Sequence, residues 1–413
     1  MKVKWLAALA LFSGSVLAQD KPNIWIQSDF TDPRDVRVDG HPRSDPDDMA
    51  ALASLLLSAD RFHIESIVLG SSTHKNSLNP LEIINEIYVP AYQKMLAKLP
   101  KTHGFQPTIN YQWSSITSSP NQLKLFDPQK DYFDLAGYET VQSLVDYARN
   151  NKVYLLIWGQ LSEAAIAVKH LQSTSQLQVL ENITIIAHWS KSFIKSMYPE
   201  MATNPLMVSN SVVDMPPAVF LHEQAAKGKV KLIQLGSVGQ TGLVDGSLGF
   251  ALDDFENSAL GQIFVGAKSY KNRPDQSDAA TFWALATDLG FKIDSYPQNG
   301  DLSKASELKD KDKFFKQAPV VMADLLKRSN MAQGDKLPAS LLAKYFTYGY
   351  FMRGTYAIYT PTAVNFRILD KTGKLVKQGK LNRWSNKIEL AEQPRGSYKL
   401  QLLFVDKIVE KLL

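Results

Sequence analysis

The residues best suited to chemistry are aspartates near the N-terminus, where Asp29 is followed by Asp45, Asp47 and Asp48. Crowded carboxylates repel one another unless a cation offsets their charge, and Ca²⁺ takes roughly six to eight oxygen ligands of this kind. Carboxylates at a helix start can instead satisfy free N–H groups. Capping explains Asp45 well, but it explains only one of Asp47 and Asp48. The cluster therefore predicts a divalent-metal site.

The surrounding pattern predicts how these carboxylates are positioned. Asn23 to Gln27 is a short apolar run, typical of a buried strand, and it ends at Ser28-Asp29. A helical pattern then opens, with Asp45 as the expected N-cap and Pro46 at the first helical position. Ile64 to Leu69 predicts a second strand. Strand, helix and strand in this order indicate a βαβ unit.

The same alternation continues along the chain. Further helices are predicted over 141–148, 163–171 and 218–226, and further strands over 153–158, 183–187 and 230–235. Such alternation predicts an α/β fold with a mostly parallel central sheet flanked by helices. Ligands of these sheets bind beyond the carboxyl ends of the strands. The places to look are therefore Asp29, residues 72–76, residues 159–162 and His188.

The last part of the chain has a different character. Short strand-like runs occur over 363–369, 375–379, 387–390 and 398–404, separated by glycine-containing turns. We therefore predict an α/β domain over residues 19–359 and a small antiparallel β module over residues 360–413. The aromatic segment from Tyr345 to Tyr359 is more typical of a packed interface than of a flexible linker.

Composition narrows the class of protein. Lys2 and Lys4, the apolar run from Trp5 to Phe12 and the small residue Ala18 predict a cleaved signal peptide over residues 1–18, and hence a periplasmic or secreted protein. The chain has no cysteine, which excludes disulfides, thiolate metal sites and cysteine nucleophiles. The net charge of +5 is small and the basic residues are scattered along the chain, which argues against nucleic-acid binding. After the signal, no stretch is long and apolar enough to span a membrane.

Four segments together resemble one family. Ile24 to Asp29 followed by Ser44-Asp45-Pro46-Asp47-Asp48 resembles the metal-binding motif of nucleoside hydrolases, and is closest to bacterial nucleoside-hydrolase-like proteins with an S-D-P-D-D motif. The other segments are Trp158 to Ala165, similar to G-P-L-T-N-I-A; Asn210 to Ala218, similar to N-x-x-x-D-P-E-A-A; and Ser277 to Thr281, similar to a late H-D or G-D-T segment. They follow in the family's order, and the resemblance covers roughly residues 22–295.

The resemblance implies a Ca²⁺ centre. Asp29 would ligate the ion and accept a proton from the attacking water. Asp48 and Asp278 would be further carboxylate ligands, and Ser162 would contribute its backbone carbonyl. In this family the ion holds sugar hydroxyls and lowers the pKa of water during cleavage of an N-glycosidic bond.

The resemblance also implies a sugar pocket. Asp47 would hold a ribose hydroxyl and Asn210 another sugar hydroxyl. His74 and Asn76 fall where the family lines the pocket. The substrate would then be a small nucleoside or a carbohydrate.

The sequence departs from the family at two places. Ser277 stands where a histidine often protonates the leaving base, so the leaving-group acid is absent or lies elsewhere, and His188 is the nearest alternative by topology. The loop from Phe30 to Ser44 is long, and its Asp32, Asp35 and Asp39 are expected to be solvated. Trp158, Trp189 and Trp283 could stack on a base or sugar, although core packing is the commoner role.

Three functions remain open at this stage. The first is a metal-dependent glycosidic-bond hydrolase. The second is a catalytically altered relative that binds carbohydrate without cleaving it, favoured by Ser277 and by the added β module. The third is a purely structural α/β protein, which would show no melting-temperature shift with Ca²⁺. A homo-oligomer is compatible with all three.

Overall fold

A six-stranded parallel sheet forms the centre of the molecule. A computed structural model describes residues 21–37, 40–43, 46–70, 76–118, 124–194, 203–352, 355–391 and 396–413. The central strands are β1 (Asn23–Ser28), β2 (His63–Leu69), β3 (Tyr111–Trp113), β4 (Val153–Ile157), β5 (Ile183–Ala187) and β6 (Lys231–Gln234). Their order is β3-β2-β1-β4-β5-β6, and each neighbouring pair is parallel. The predicted α/β fold class is confirmed.

Helices cover both faces of this sheet. They are α1 (Asp47–Leu57), α2 (Leu81–Ile83), α3 (Val89–Lys98), α4 (Glu139–Ala148), α5 (Ser162–Ser173), α6 (Leu177–Leu180), α7 (Ser209–Val212), α8 (Met215–Ala226), α9 (Ala259–Gly266), α10 (Ala280–Trp283), α11 (Lys304–Met331) and α12 (Ala339–Phe346). Because successive side chains of a strand point to opposite faces, Ile24 and Ile26 join one core and Trp25 the other. Within the described ranges, no helix has the length and apolarity needed to cross a membrane.

The start of α1 differs slightly from the prediction. The helix begins at Asp47, so Pro46 occupies the N-cap position that was expected for Asp45. Asp45 itself lies outside the described residues, as do His74 and the predicted signal peptide over residues 1–18. The described N-cap makes no side-chain hydrogen bond to the helix.

The loop between β1 and α1 is packed rather than solvated. Asp32 is fully buried and pairs with Arg34, and Asp35, which is 2% exposed, lies 2.7 Å from Arg43 Nε. Asp35 also accepts a hydrogen bond from the backbone N–H of Ser77 at 2.6 Å. The expectation of solvated aspartates was wrong for these two, because nearby arginines and backbone donors compensate their burial. Asp39 lies outside the described residues.

Strand pairing in the C-terminal region crosses the predicted boundary at residue 360. After the short hairpin β7 (Ser269–Tyr270) and β8 (Arg273–Pro274), the strands are β9 (Tyr348–Met352), β10 (Thr355–Thr360), β11 (Val364–Asp370), β12 (Leu375–Leu381), β13 (Trp384–Ile388), β14 (Tyr398–Leu403) and β15 (Ile408–Leu412). β10 lies between β9 and β13, while β12-β11-β14-β15 form a second antiparallel sheet. Tyr356 and Ile358 of β10 belong to the same apolar core as this second sheet. The predicted antiparallel module is present, and the aromatic segment before it is part of its packing.

Candidate metal centre

The candidate site lies where the strand order changes direction. β1 pairs with β2 on one side and with β4 on the other, so the chain leaves the carboxyl ends of β1 and β4 toward different halves of the sheet. Asp29 follows β1 directly, and Gly159 follows β4 after one residue. A methyl group at position 159 would lie 2.5 Å from Asp29 Cγ, so only glycine allows this approach. Crevices of this type are the usual ligand sites of open α/β sheets.

Three carboxylates converge at this edge of the sheet. One oxygen from each of Asp47, Asp48 and Asp278 lies within 4.8 Å of the other two. Asp47 and Asp48 open α1, whereas Asp278 lies in a 3₁₀ turn over Ser277–Ala279. Asp29 lies beside Asp48, within hydrogen-bonding reach of its carboxyl group. The N-cap of α1 is Pro46, so Asp47 and Asp48 lie inside the first turn and neither is the N-cap residue.

Asp48 is the most deeply buried member of the cluster. Ser28 Oγ donates a hydrogen bond to Asp48 Oδ1, while Asp48 Oδ2 is buried and receives no donor from the described residues. Burial raises the pKa of Asp48 well above its ordinary value, and repulsion from Asp29 and Asp278 raises it further. An ionised carboxylate in this position therefore needs a cation.

Asp278 is held by a histidine. His188 Nδ1 lies 2.9 Å from Asp278 Oδ1, and both side chains are almost completely buried. Burial, followed by repulsion from neighbouring aspartates, raises the pKa of Asp278 well above its ordinary value. The structure thus places His188 against a candidate metal ligand. The predicted roles of His188 in substrate binding and as an alternative acid stay untested.

Asp47 keeps the more open position in the trio. Its side chain is 13% exposed, and Ser277 Oγ donates a hydrogen bond to Asp47 Oδ2 at 3.0 Å. The ammonium of Lys268 lies 3.6 Å from the same oxygen and 3.1 Å from the fully buried Asp275. Sequence reasoning missed Lys268 and Asp275. The only feature of the sequence that indicates their proximity is the turn between them. The two strands that flank this turn, β7 and β8, have two residues each and are too short to show a periodic pattern.

The turn after β4 is fixed by a further buried aspartate, Asp214. Asp214 accepts hydrogen bonds from the backbone N–H groups of Leu161 and Ser162, at 2.9 and 2.8 Å, and from Ser162 Oγ at 2.9 Å. Burial outweighs these bonds and raises the pKa of Asp214 to about 6. The family-like segment around Asp214 thus anchors the turn that carries Ser162, whose carbonyl is a predicted ligand.

The predicted sugar-binding residues are held nearby. Asn210 Nδ2 donates to the backbone carbonyls of Trp158 and His188, at 3.0 and 3.2 Å, which places this side chain at the ends of β4 and β5. Asn76 is 4% exposed, and its Oδ1 accepts a hydrogen bond from Trp113 Nε1 at 3.5 Å. Both side chains thus contact residues at the carboxyl ends of central strands. Their contacts with a sugar stay a prediction.

The three tryptophans considered for stacking are core residues. Trp158 and Trp283 are 2% and 0% exposed, and Trp189 is 7% exposed. Trp158 Nε1 donates to Thr281 Oγ1 at 2.8 Å, which ties the end of β4 to the segment that carries Asp278. Core packing, the commoner role, therefore describes their positions.

The donor set fits a hard divalent cation. Carboxylate oxygens from three aspartates converge, a fourth aspartate lies beside them, and one buried oxygen of Asp48 receives no hydrogen bond within the described part of the chain. Oxygen donors of this kind suit Ca²⁺ or Mg²⁺ rather than a soft metal. Asp47, Asp48 and Asp278 would hold such an ion directly, with Asp29 at its side.

One comparison, with models of known protein families, agrees with the sequence motifs. Residues 35–207 match a family model described as the nucleoside hydrolase-like domain of cellulose-binding Sde182. A nucleoside hydrolase-related hypothetical protein from Saccharophagus degradans, described as associated with carbohydrate metabolism, is 12% identical, with 95% of this chain and 98% of that chain covered and a TM-score of 0.44. The effector protein XOO4466 is 11% identical, with 74% and 95% covered and a TM-score of 0.42. A search of curated proteins found no match. Residues 35–207 are thus similar to the nucleoside hydrolase-like domain of the Sde182 family, which confirms the resemblance predicted from the motifs.

Proposed function

We propose that this protein is a metal-dependent hydrolase of N-glycosidic, nucleoside-like bonds or of related glycosidic bonds. The observation that carries the proposal is the convergence of Asp47, Asp48 and Asp278 within 4.8 Å beside Asp29. This cluster lies at the switch point of a parallel sheet, in a chain with a nucleoside hydrolase-like domain. Ca²⁺ is the proposed ion.

Each aspartate has a distinct role in this proposal. When bound, the ion would offset the carboxylate charge and polarise water and sugar hydroxyls. Asp29, 8% exposed and backed by Gly159, would accept the proton of the attacking water. Asp47, besides holding the ion with Asp48 and Asp278, would hold a sugar hydroxyl at its more exposed edge. Asn210, fixed by two backbone carbonyls, would position a second hydroxyl.

The protein should contribute little to protonation of the leaving group. Ser277 uses its hydroxyl to bind Asp47, and His188 is 1% exposed and lies against Asp278. Neither side chain is therefore well placed to protonate a departing base. We expect the enzyme to favour substrates whose leaving group needs no proton, since general acid catalysis is worth about 100- to 10,000-fold.

A substrate panel with Ca²⁺ tests the proposed reaction. Nitrophenyl ribosides, purine and pyrimidine nucleosides and soluble glycans should be assayed with and without a chelator. We expect Ca²⁺-dependent release of nitrophenol, faster than release of any nucleobase. Turnover that is equal in chelator would contradict metal dependence, and a nucleobase released as fast as nitrophenol would require an efficient leaving-group acid.

Carbohydrate binding without cleavage is the second candidate. It is favoured by the matched family's description as cellulose-binding and by the serine in place of the expected histidine. Retention on cellulose combined with no turnover across the whole panel would favour this function. Turnover of any substrate would favour the hydrolase.

Metal affinity should depend on pH. Burial and mutual repulsion raise the pKa values of Asp48 and Asp278, so both carboxyls retain protons to higher pH than free aspartates do. Ca²⁺ must displace these protons, so its apparent affinity should fall as pH falls through the raised pKa values. Calorimetric titrations at pH 8 and pH 5, in buffers of different ionisation enthalpy, should show proton release and weaker binding at pH 5. Equal affinity at both pH values without proton release would contradict this.

Export is a separate part of the proposal. Residues 1–18 have the charge, apolar run and small-residue end of a signal peptide. We propose that the protein acts in the periplasm or outside the cell. N-terminal sequencing of the exported protein should begin after Ala18, and a cytoplasmic chain that keeps residues 1–18 would contradict it.

A further inference from the structure

A lysine lies inside the carboxylate cluster, and neither the proposed reaction nor the family motifs give it a role. Lys268 Nζ is 3.6 Å from Asp47 Oδ2 and 3.1 Å from Asp275 Oδ2. The lysine side chain is only 13% exposed, and Asp275 is fully buried. A lysine of such low exposure requires a specific partner, because burial of an unpaired ammonium is costly.

The local backbone directs this lysine toward the cluster. Lys268 and Asp275 flank the β7–β8 hairpin, and the backbone N–H of Asp275 donates to the carbonyl of Lys268 at 3.1 Å. The hairpin turns at Lys271 and Asn272, both of which have positive φ angles, as a tight hairpin turn of this kind requires. The hairpin thus brings Lys268 and Asp275 side by side, and Asp278 follows three residues after Asp275.

The lysine acts on the whole cluster and not only on Asp275. Asp47 Oδ2, which Lys268 approaches, belongs to a carboxylate of the trio and also accepts the hydrogen bond from Ser277. The positive charge of Lys268 also opposes the rise in the pKa of Asp278, to which Asp275 contributes by repulsion. One fixed positive charge therefore faces several crowded carboxylates.

We propose that Lys268 is a built-in counter-cation of this metal centre, which stabilises the carboxylates when no metal is bound and competes with a divalent ion for Asp47. The inference rests on the proposed metal site and adds a residue that sets its affinity. Both the ammonium and a divalent cation are attracted by the same negative charge. Each therefore weakens the attraction for the other, and Lys268 is a positioning residue rather than a catalytic one.

The experiment compares Lys268→Met with Lys271→Met in the full chain. Methionine keeps most of the apolar stem of lysine and removes its charge. Lys271 is a matched control, because it lies on the same hairpin and pairs with Asp245 while its side chain is 53% exposed. Melting temperature without metal and Ca²⁺ affinity by calorimetry are the two measurements.

The melting temperature and the Ca²⁺ affinity of Lys268→Met should change in opposite directions. Metal-free Lys268→Met should melt several degrees below wild type, because Asp47 and Asp275 lose their counter-ion. Its Ca²⁺ affinity should increase by about tenfold, from the loss of one positive charge a few ångströms from the ion. Ca²⁺ should therefore raise the melting temperature of this variant more than that of wild type. Lys271→Met should match wild type in both measurements.

A double variant separates this role from simple pairing with Asp275. If Lys268 only neutralises Asp275, Lys268→Met combined with Asp275→Asn should return both measurements to wild type. We expect that the double variant recovers only part of the melting temperature, because Asp47 still lacks its counter-ion, and that it keeps the tighter Ca²⁺ binding. Unchanged or weaker Ca²⁺ binding by Lys268→Met would overturn the inference and leave the metal site standing. Wild type that binds no Ca²⁺ would overturn both.

Discussion

Replacement of Asp29 with asparagine should lower turnover at least about 1,000-fold, because the change removes the group that accepts the proton of the attacking water. The asparagine keeps the size of the side chain and its contact with Gly159. The metal-free variant should melt at or above the temperature of wild type, since Asp29 repels Asp48 in the native protein. Initial rates on the best substrate of the panel and a thermal melt in chelator measure the two effects.

The control for this variant is Asp253→Asn, which removes the same charge from a side chain that is 86% exposed. It should leave turnover and melting temperature close to those of wild type. Turnover of Asp29→Asn within about tenfold of wild type would rule out Asp29 as the base. A large fall in melting temperature would instead show that the residue is needed for folding.

Replacement of Asp278 with asparagine should weaken Ca²⁺ binding by at least about 100-fold, because carboxylates that ligate Ca²⁺ supply both an oxygen and a charge. An asparagine Oδ1 can still accept the hydrogen bond from His188, so the loss reports on the charge more than on the position of the side chain. Calorimetric titration of the chelated protein with Ca²⁺ measures the affinity directly.

Asp288→Asn is the matched control for this second variant. Asp288 pairs with Arg61, and its side chain is 55% exposed. Its replacement should change Ca²⁺ affinity by less than about twofold, since exposed pairs are screened by solvent. A dissociation constant for Asp278→Asn within about threefold of wild type would remove Asp278 from the metal site, whatever the outcome for Asp29.

Local patterns in the sequence were sufficient to predict five of the six strands of the central sheet. A buried parallel strand is a short apolar run, and the helices between the strands show a different period, so β1, β2, β4, β5 and β6 could all be located. The carboxyl-edge rule then placed Asp29 and the start of α1 near each other. β3 has only three residues and escaped prediction, because so short a run has no period.

Contacts between residues that are distant in the chain could be predicted only from the order of the family-like motifs. Asp278 lies far from Asp48 in the chain, and no local pattern indicates that the two carboxylates converge. The family-like segment Ser277 to Thr281 suggested the contact, and the structure brings Asp47, Asp48 and Asp278 together. The predicted part of Asp29 in the metal site stays a prediction, since Asp29 lies beside the trio of Asp47, Asp48 and Asp278.

Side-chain environment was decided by the tertiary structure alone. The sequence by itself determined an α/β fold with acidic residues at one edge of its sheet, because strand and helix periods are local properties. Burial of Asp32 and Asp35 depends on where Arg34, Arg43 and the backbone of Ser77 arrive after folding. The same holds for Lys268, which lies beside Asp47 at the start of α1 although the two residues are far apart in the chain. Charge compensation depends on distances in space, and those distances are fixed only when distant segments pack together.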